Sequence, residues 1–244
     1  MKLLAIDTST EACSASLLID TEITTEYRVA PREHSRLILK MIERLLADSS
    51  MAVSDLDAIA FGCGPGSFMG LRIAAGVVQG IAFAHDIPVI GISTLKAIAQ
   101  HAHDETSQSN ILVAIDARMD EVYWCPYTLK ENGSGSKYWH QLVDECVISP
   151  DNISLDDLLQ GSGELSFQDS WVAAGTGWGS YAERILRPGK FVPAIMLDSC
   201  LPSSENIARL AADEFAAGNT LSAAQAIPVY LRNDVAKKPK PVVL

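Results

Sequence analysis

Lys2-Leu3-Leu4-Ala5-Ile6-Asp7 opens the chain as an apolar run closed by an acid, and Ala12–Ile19 is a second run beyond the polar stretch Thr8-Ser9-Thr10-Glu11. Short runs bounded by turn residues predict a strand, a turn and a strand. From Glu33 the period changes: Leu37, Met41 and Leu45 repeat every four residues beside Ile38, Ile42 and Leu46, with Arg36, Lys40, Glu43 and Arg44 between them. That spacing predicts an amphipathic helix with a wide apolar face. Residues 57–62 then read as a buried strand, 62–67 as a Gly-rich turn, 68–85 as a second helix, and 88–92 as a further strand. Ser93 or Thr94 is placed to cap the helix that follows. Strands alternating with helices predict an α/β sheet.

The pattern then starts again. Ala114-Ile115-Asp116 closes a run from Ile111 as Ala5-Ile6-Asp7 closes the first, and 122–127 supplies the next strand. Gly175-Thr176-Gly177-Trp178-Gly179-Ser180 repeats the G-x-G-x-G-S spacing of Gly62-Cys63-Gly64-Pro65-Gly66-Ser67. Two matches in the same order predict a duplicated unit. The polar stretch 101–110 is the natural boundary, giving one lobe over residues 1–105 and another over 106–244. A capped helix at about 203–218 is free to pack back on the first lobe. Asn132-Gly133-Ser134-Gly135-Ser136 reads as a flexible loop within the second lobe.

Composition narrows the function classes. The chain has 244 residues, with 30 acids against 19 bases and a net charge of −11. Such a field repels a phosphate backbone and argues against unaided nucleic-acid binding. No apolar run approaches the roughly 20 residues that span a bilayer, and Asp7 comes too early for a signal peptide, so a cytoplasmic protein without membrane association is expected. The five scattered cysteines show no C-x-x-C spacing and read as thiols in a reducing compartment.

Three features could carry chemistry. Asp7 ends a first strand and is followed by Thr8 and Ser9, an arrangement that could aim a carboxylate, hydroxyls and amides at a phosphate; equally, the hydroxyls could only close a hairpin turn. The turn carrying Gly64 and Gly66 precedes a helix N-terminus, which favours anions. It lacks the Lys of a Walker loop, and a sharp strand-to-helix turn would need the same glycines. The turn and the helix over 68–85 carry Gly66, Gly70 and Ala74, then Gly76, Gly80 and Ala84, at four-residue spacing, although each helical glycine costs about 1 kcal/mol. Small residues so spaced let another backbone approach, either inside the molecule or across a subunit interface. His101-Ala102-His103-Asp104 has no metal-ligand spacing and reads as a solvated loop.

Leu4-Ala5-Ile6-Asp7-Thr8-Ser9, Glu33-His34-Ser35, Gly64-Pro65-Gly66-Ser67-Phe68-Met69-Gly70-Leu71-Arg72 and Pro228-Val229-Tyr230-Leu231-Arg232 together resemble the bacterial TsaB (YeaZ) family from end to end. Met69 stands where most members carry threonine. The resemblance implies a two-lobed fold of the actin, heat-shock-protein and sugar-kinase (ASKHA) class, built from duplicated βββαβαβα-type units. It implies a non-catalytic subunit that forms a heterodimer with the catalytic paralogue TsaD and acts with the ATPase TsaE in installing threonylcarbamoyl on an adenosine of tRNA. The tRNA would be met only through the complex, and the chain alone would form a homodimer. The sister's two metal-binding histidines fall here on Thr94 and Ile98, neither able to replace an imidazole. No cofactor is then required, and Asp7, Thr8, Ser9, Gly64 and Gly66 would line a vestigial cleft holding ATP or ADP weakly. The partner surface would comprise His34, Leu37, Ile38, Met41 and Leu45 of the first helix with Met69, Gly70, Ile73, Gly76, Val77 and Gly80 of the second. An ATP-dependent phosphotransferase using Asp7 is the alternative. A metallopeptidase would need ligands the sequence does not supply, and the tail Lys237-Lys238-Pro239-Lys240 stays unassigned.

Overall fold

A computed structural model describes residues 1–133, 135–155, 158, 170–187 and 191–232; Ser134 and the Lys-rich tail lie outside them. Strands β1 (Lys2–Asp7), β2 (Ala12–Ile19) and β3 (Glu22–Val29) form an antiparallel meander. Helix α1 (His34–Asp48) leads to β4 (Ala58–Gly64), α2 (Phe68–His85), β5 (Val89–Ser93) and α3 (Thr94–Thr106). The second meander is β6 (Asn110–Arg118), β7 (Glu121–Glu131) and β8 (Lys137–Gln141), with β9 (Cys146–Ile148) also on β7. It is followed by β10 (Trp171–Ala174), α4 (Thr176–Leu186), β11 (Ile195–Leu197) and α5 (Ser204–Ala216).

The sheets run β3-β2-β1-β4-β5 and β8-β7-β6-β10-β11, the same order with the same antiparallel and parallel pairings. Each unit ends strand, helix, strand, helix, so the duplicated two-lobed actin-like architecture is present. Asp7 and Asp116 sit near the ends of the equivalent central strands β1 and β6, opposite Ser14 and Val122.

Both faces of each sheet are covered, so the strands read as continuous apolar runs. In β1, Leu4 and Ile6 pack outward with α1 and α2, and Leu3 and Ala5 pack inward. The inner layer joins the lobes. Helix α3, from the first unit, lies between the sheets, on β6, β7 and β10 of the second and on β4 and β5 of its own; α5, from the second, lies on β1, β2, β4 and β5. Leu95, Ile98 and Ala102 of α3 share one buried cluster with Ile207 and Ala211 of α5 and with residues of both sheets. A buried hydroxyl ladder seats α5: Ser204 N donates to Ser14 Oγ (2.9 Å), and Ser16 Oγ lies 2.7 Å from Ser204 Oγ and 2.8 Å from Thr25 Oγ1. A third cluster, with Trp171 and Trp178, fills the outer face of the second sheet.

Two expectations are corrected. His101 to Asp104 is the end of α3, not a loop: Leu95, Ile98, Ala99 and Ala102 form a helical stripe that the polar residues hide,. His101 Nδ1 and His103 Nδ1 bond to the carbonyls of Leu201 and Gln108. The two glycine motifs do not occupy the same place. Helix α2 starts after Ser67, its N-cap, whereas α4 starts directly after Gly175, leaving Gly177 and Gly179 inside the helix. Helix α2 has 18 residues of mean hydropathy 1.3, enough by length and composition to cross a membrane, but Leu71 is buried and Ala74, Ala75, Val78 and Ala82 are buried in the cluster beneath the helix.

Because α3 and α5 are each laid on the other unit's sheet, the lobes should unfold as one unit. All four tryptophans, at 124, 139, 171 and 178, lie in the second half. Tryptophan fluorescence and far-ultraviolet circular dichroism should therefore give the same urea midpoint, and separated midpoints would show two independent units.

Candidate functional site

The carboxyl ends of the central strands of both sheets frame a cleft of about 590 Å³. Ser9, Thr10, Gly66 and Ser67 line it from the first lobe, Asp116, Arg118 and Thr176 from the second, and Val229 to Arg232 from the C-terminal segment. Thr176 Oγ1 accepts a bond from Asp116 N (3.1 Å), and Asp116 Oδ1 accepts one from Arg118 N (2.8 Å). The Arg118 guanidinium lies 3.4 Å from Asp116 and 3.5 Å from Glu11 across the cleft; it is mostly exposed, so these pairs are weak and screened.

Of the residues expected at a nucleotide site, Ser9 and Gly66 face the cleft and Asp7, Thr8 and Gly64 do not. The space left by the glycines is filled by the chain itself. Gly64, at φ +120°, has Val229 O 2.6 Å from where a Cβ would stand, and a Cβ on Gly66 would meet Ser9 O at 2.4 Å. At Gly70 the same atom would lie 1.9 Å from Thr8 O, while Thr8 Oγ1 donates to Gly70 O (2.7 Å). Ser67 N is spent on Ser9 O (2.7 Å), and Ser67 Oγ accepts from Gly70 N (3.3 Å). The turn thus clamps α2 onto the loop after β1.

Asp7 is fully buried. Its Oδ2 accepts from Ser9 Oγ (3.1 Å), and its Oδ1 is buried without a partner, 2.1 Å from where a Cβ on Gly62 would stand. Burial raises its pKa from 3.8 to about 7, against the lowering effect of bonds from Ser9 and Thr8,. Held this way, the carboxyl is turned into the protein interior. Thr94 and Ile98 are buried in α3, with Thr94 Oγ1 lacking a partner. Among the described residues no group of three His, Cys, Asp or Glu side chains is placed to hold a metal.

The residues expected at a partner surface divide sharply. Ile38, Met41 and Leu45 are buried beneath α1 and α2, His34 is buried with Nε2 donating to Thr10 O (2.8 Å), and Gly70 is buried against Thr8. These five belong to the fold's interior, a correction with a simple cause: the apolar face of an amphipathic helix packs first on its own sheet. Leu37, Ile73 and Val77 are half-buried, and Met69, Gly76 and Gly80 are exposed. Among the described residues, a Cβ at Gly76 or Gly80 would find no atom within 4 Å beyond the helix's own neighbouring backbone. Phe83, 83% exposed, extends the same stripe. Sequence reasoning passed over it, although Met69, Gly76 and Phe83 recur every seven residues and Ile73 and Gly80 lie between them.

Comparison with known proteins agrees along the whole chain. Residues 19–231 match the family model described as TsaD: tRNA N6-adenosine threonylcarbamoyltransferase. The tRNA threonylcarbamoyladenosine biosynthesis protein TsaB of Escherichia coli (strain K12) is 40% identical, with 99% of each chain covered. Its Haemophilus influenzae counterpart is 39% identical over 99% of this chain and 98% of that protein. Among solved structures, YeaZ from Pseudomonas aeruginosa superposes with a TM-score of 0.82 at 43% identity, covering 94% of this chain and 99% of its own. A second structure, described as an uncharacterised protein with similarity to peptidase YEAZ from Pseudomonas aeruginosa, gives 0.83 at 43% identity, covering 95% and 99%.

Two outcomes follow from this geometry. Folded Asp7 keeps its proton up to about pH 7, whereas the unfolded chain releases it near 3.8, so the folded state binds more protons between those values. Stability from this group is full below the lower value, falls as pH rises and is lost above the upper one. From about pH 5 to about pH 8, wild type should lose roughly 2 kcal/mol more than Asp7→Asn, by urea titration; parallel curves would contradict the buried neutral carboxyl. Gly70→Ala should cost about 2–4 kcal/mol through the clash with Thr8 O, and a cost below about 0.5 kcal/mol would contradict that contact.

Proposed function

The chain belongs to the TsaB family of tRNA threonylcarbamoyladenosine biosynthesis proteins, and on that premise we propose that it serves this modification as a non-catalytic cytoplasmic subunit whose α2 outer face docks TsaD. The observation that carries the reading is the pair Gly76 and Gly80. Each lowers helix stability by about 1 kcal/mol relative to alanine, and among the described residues neither makes room for another part of the chain. Beside them lie the apolar side chains of Met69, Ile73, Val77 and Phe83. A helix face of this kind suits close approach by a second helix. TsaD, as the catalytic paralogue, would offer the equivalent helix, and a second copy of this chain would do so when TsaD is absent, giving a homodimer.

Catalysis is assigned to the partner because Asp7 is turned inward and the space freed by the glycines of the turn is taken up by protein atoms. No cofactor is needed in this reading, and ATP or ADP would enter the cleft only weakly. TsaE joins the TsaB and TsaD pair, and tRNA is contacted through that assembly, in keeping with the chain's net charge of −11.

The test is to mix the purified chain with TsaD from the same organism, measure mass by light-scattering chromatography, and assay threonylcarbamoyl transfer to tRNA with TsaE present. A heterodimer that is active only with this chain is expected; no complex and no dependence would reject the reading. Gly76→Gln and Gly80→Gln separate docking from folding. Each should raise thermal stability by roughly 0.5–1 kcal/mol and weaken TsaD binding by roughly tenfold or more. Unchanged affinity in both would remove α2 from the interface.

A further inference from the structure

The segment after the last helix crosses from α2 to the second lobe as a strap. At its start Gln79 Nε2 donates to Ala226 O (3.0 Å), and Val229 N donates to Cys63 O (2.7 Å). Tyr230 lies 5.6 Å from Phe68, ring to ring, and its hydroxyl accepts from Arg72 Nε (3.0 Å), whose guanidinium sits 3.6 Å over the Phe68 ring. At its far end Arg232 binds Glu121 Oε2 (2.5 Å) and Arg118 O (3.3 Å) and lies 3.7 Å from Met119 Sδ.

The tip that Arg232 grips is held in an unfavourable backbone conformation. Arg118, Met119 and Asp120 have φ of 63°, 59° and 60°, a run of left-handed residues with no glycine, which Arg and Met disfavour. The same tip borders the cleft and reaches Glu11 of the first lobe through Arg118. At the other end, Tyr230 and Ile227 are exposed, as are Phe68 and Met69 at the start of α2.

We propose that residues 226–232 couple docking on α2 to the inter-lobe cleft: a partner covering Phe68, Met69 and Tyr230 pins the strap, and the pinned Arg232 holds the 118–120 tip against its relaxed form. Coupling of this kind requires the tip to have a second, relaxed form, and the positive φ at Arg118, Met119 and Asp120 makes it the segment in which to look for one. The partner half of the proposal rests on the reading that α2 docks TsaD, and the intramolecular half does not.

Hydrogen exchange on the full-length chain tests both. In the free chain, Arg72→Ala and Arg232→Ala should each speed amide exchange in Arg118–Glu121 roughly three- to tenfold, as loss of one anchoring contact would, with β4 and α3 unchanged. Wild-type exchange at the tip in either variant overturns the strap. Added TsaD should slow exchange at the tip in wild type and leave it fast in Arg232→Ala, with both chains bound. Bound TsaD that leaves the wild-type tip unchanged overturns the coupling. Failure of TsaD to bind at all rejects the docking reading, while the free-chain comparison still decides whether the strap holds the tip.

Discussion

The exchange of two helices between the repeated units is the constraint on which this structure depends. Each unit ends in a helix, and each of those helices is laid on the other unit's sheet, so α3 and α5 form one buried layer shared by both lobes. Each sheet has much of its inner face covered by the other unit's helix, with α3 also touching β4 and β5 of its own. Burying an apolar face is worth roughly 25 cal/mol per Å² removed from water, so prising the lobes apart would expose the inner faces of both sheets at once. The buried Ser14, Ser16 and Ser204 hydroxyls add direction, since the bonds from Ser204 to Ser14 and Ser16 form only while α5 stays in register,.

The Gly-rich turn shows how one motif serves an end other than the one its composition suggests. Glycines before a helix N-terminus commonly leave room for phosphate. Here Gly64 admits the carbonyl of Val229, Gly66 that of Ser9 and Gly70 that of Thr8, so the turn is a junction where the β1 loop, α2 and the C-terminal strap meet. Asp7 follows the same logic. A carboxyl with one oxygen unpartnered in the interior is stable only when neutral, and its raised pKa is the expected consequence of that burial.

Much of this was legible in the chain. The apolar runs located β1, β2 and α2 to within a residue or two, because a sheet covered on both faces leaves an unmistakable signature of short unbroken runs. The repeat of Ala-Ile-Asp marked the duplicated central strand correctly. The end of α3 was hidden because His101, His103 and Asp104 dominate its composition, while the stripe that fixes it is carried by Ile98 and Ala102. The glycine repeat misled over register, since spacing in sequence does not reveal where a helix begins. Burial divided the expected docking residues: periodicity identifies an apolar face, but not whether that face meets its own sheet or another molecule. Only coordinates could separate Met41, turned inward, from Phe83, turned outward.

The glycines of α2 illustrate that distinction most clearly. Gly70 and Gly80 look alike in sequence, both within a run of small residues spaced by three or four. At Gly70 the missing side chain is occupied by the chain's own carbonyl, so the residue is explained by the fold. At Gly80 a side chain would meet none of the described residues, and its helix-weakening effect has no offset among them. Among the described residues no neighbour accounts for the glycine there. An assembly in which another backbone lies against α2 would supply the offset, and the exposed Phe83 one turn further on would lose the water it now faces.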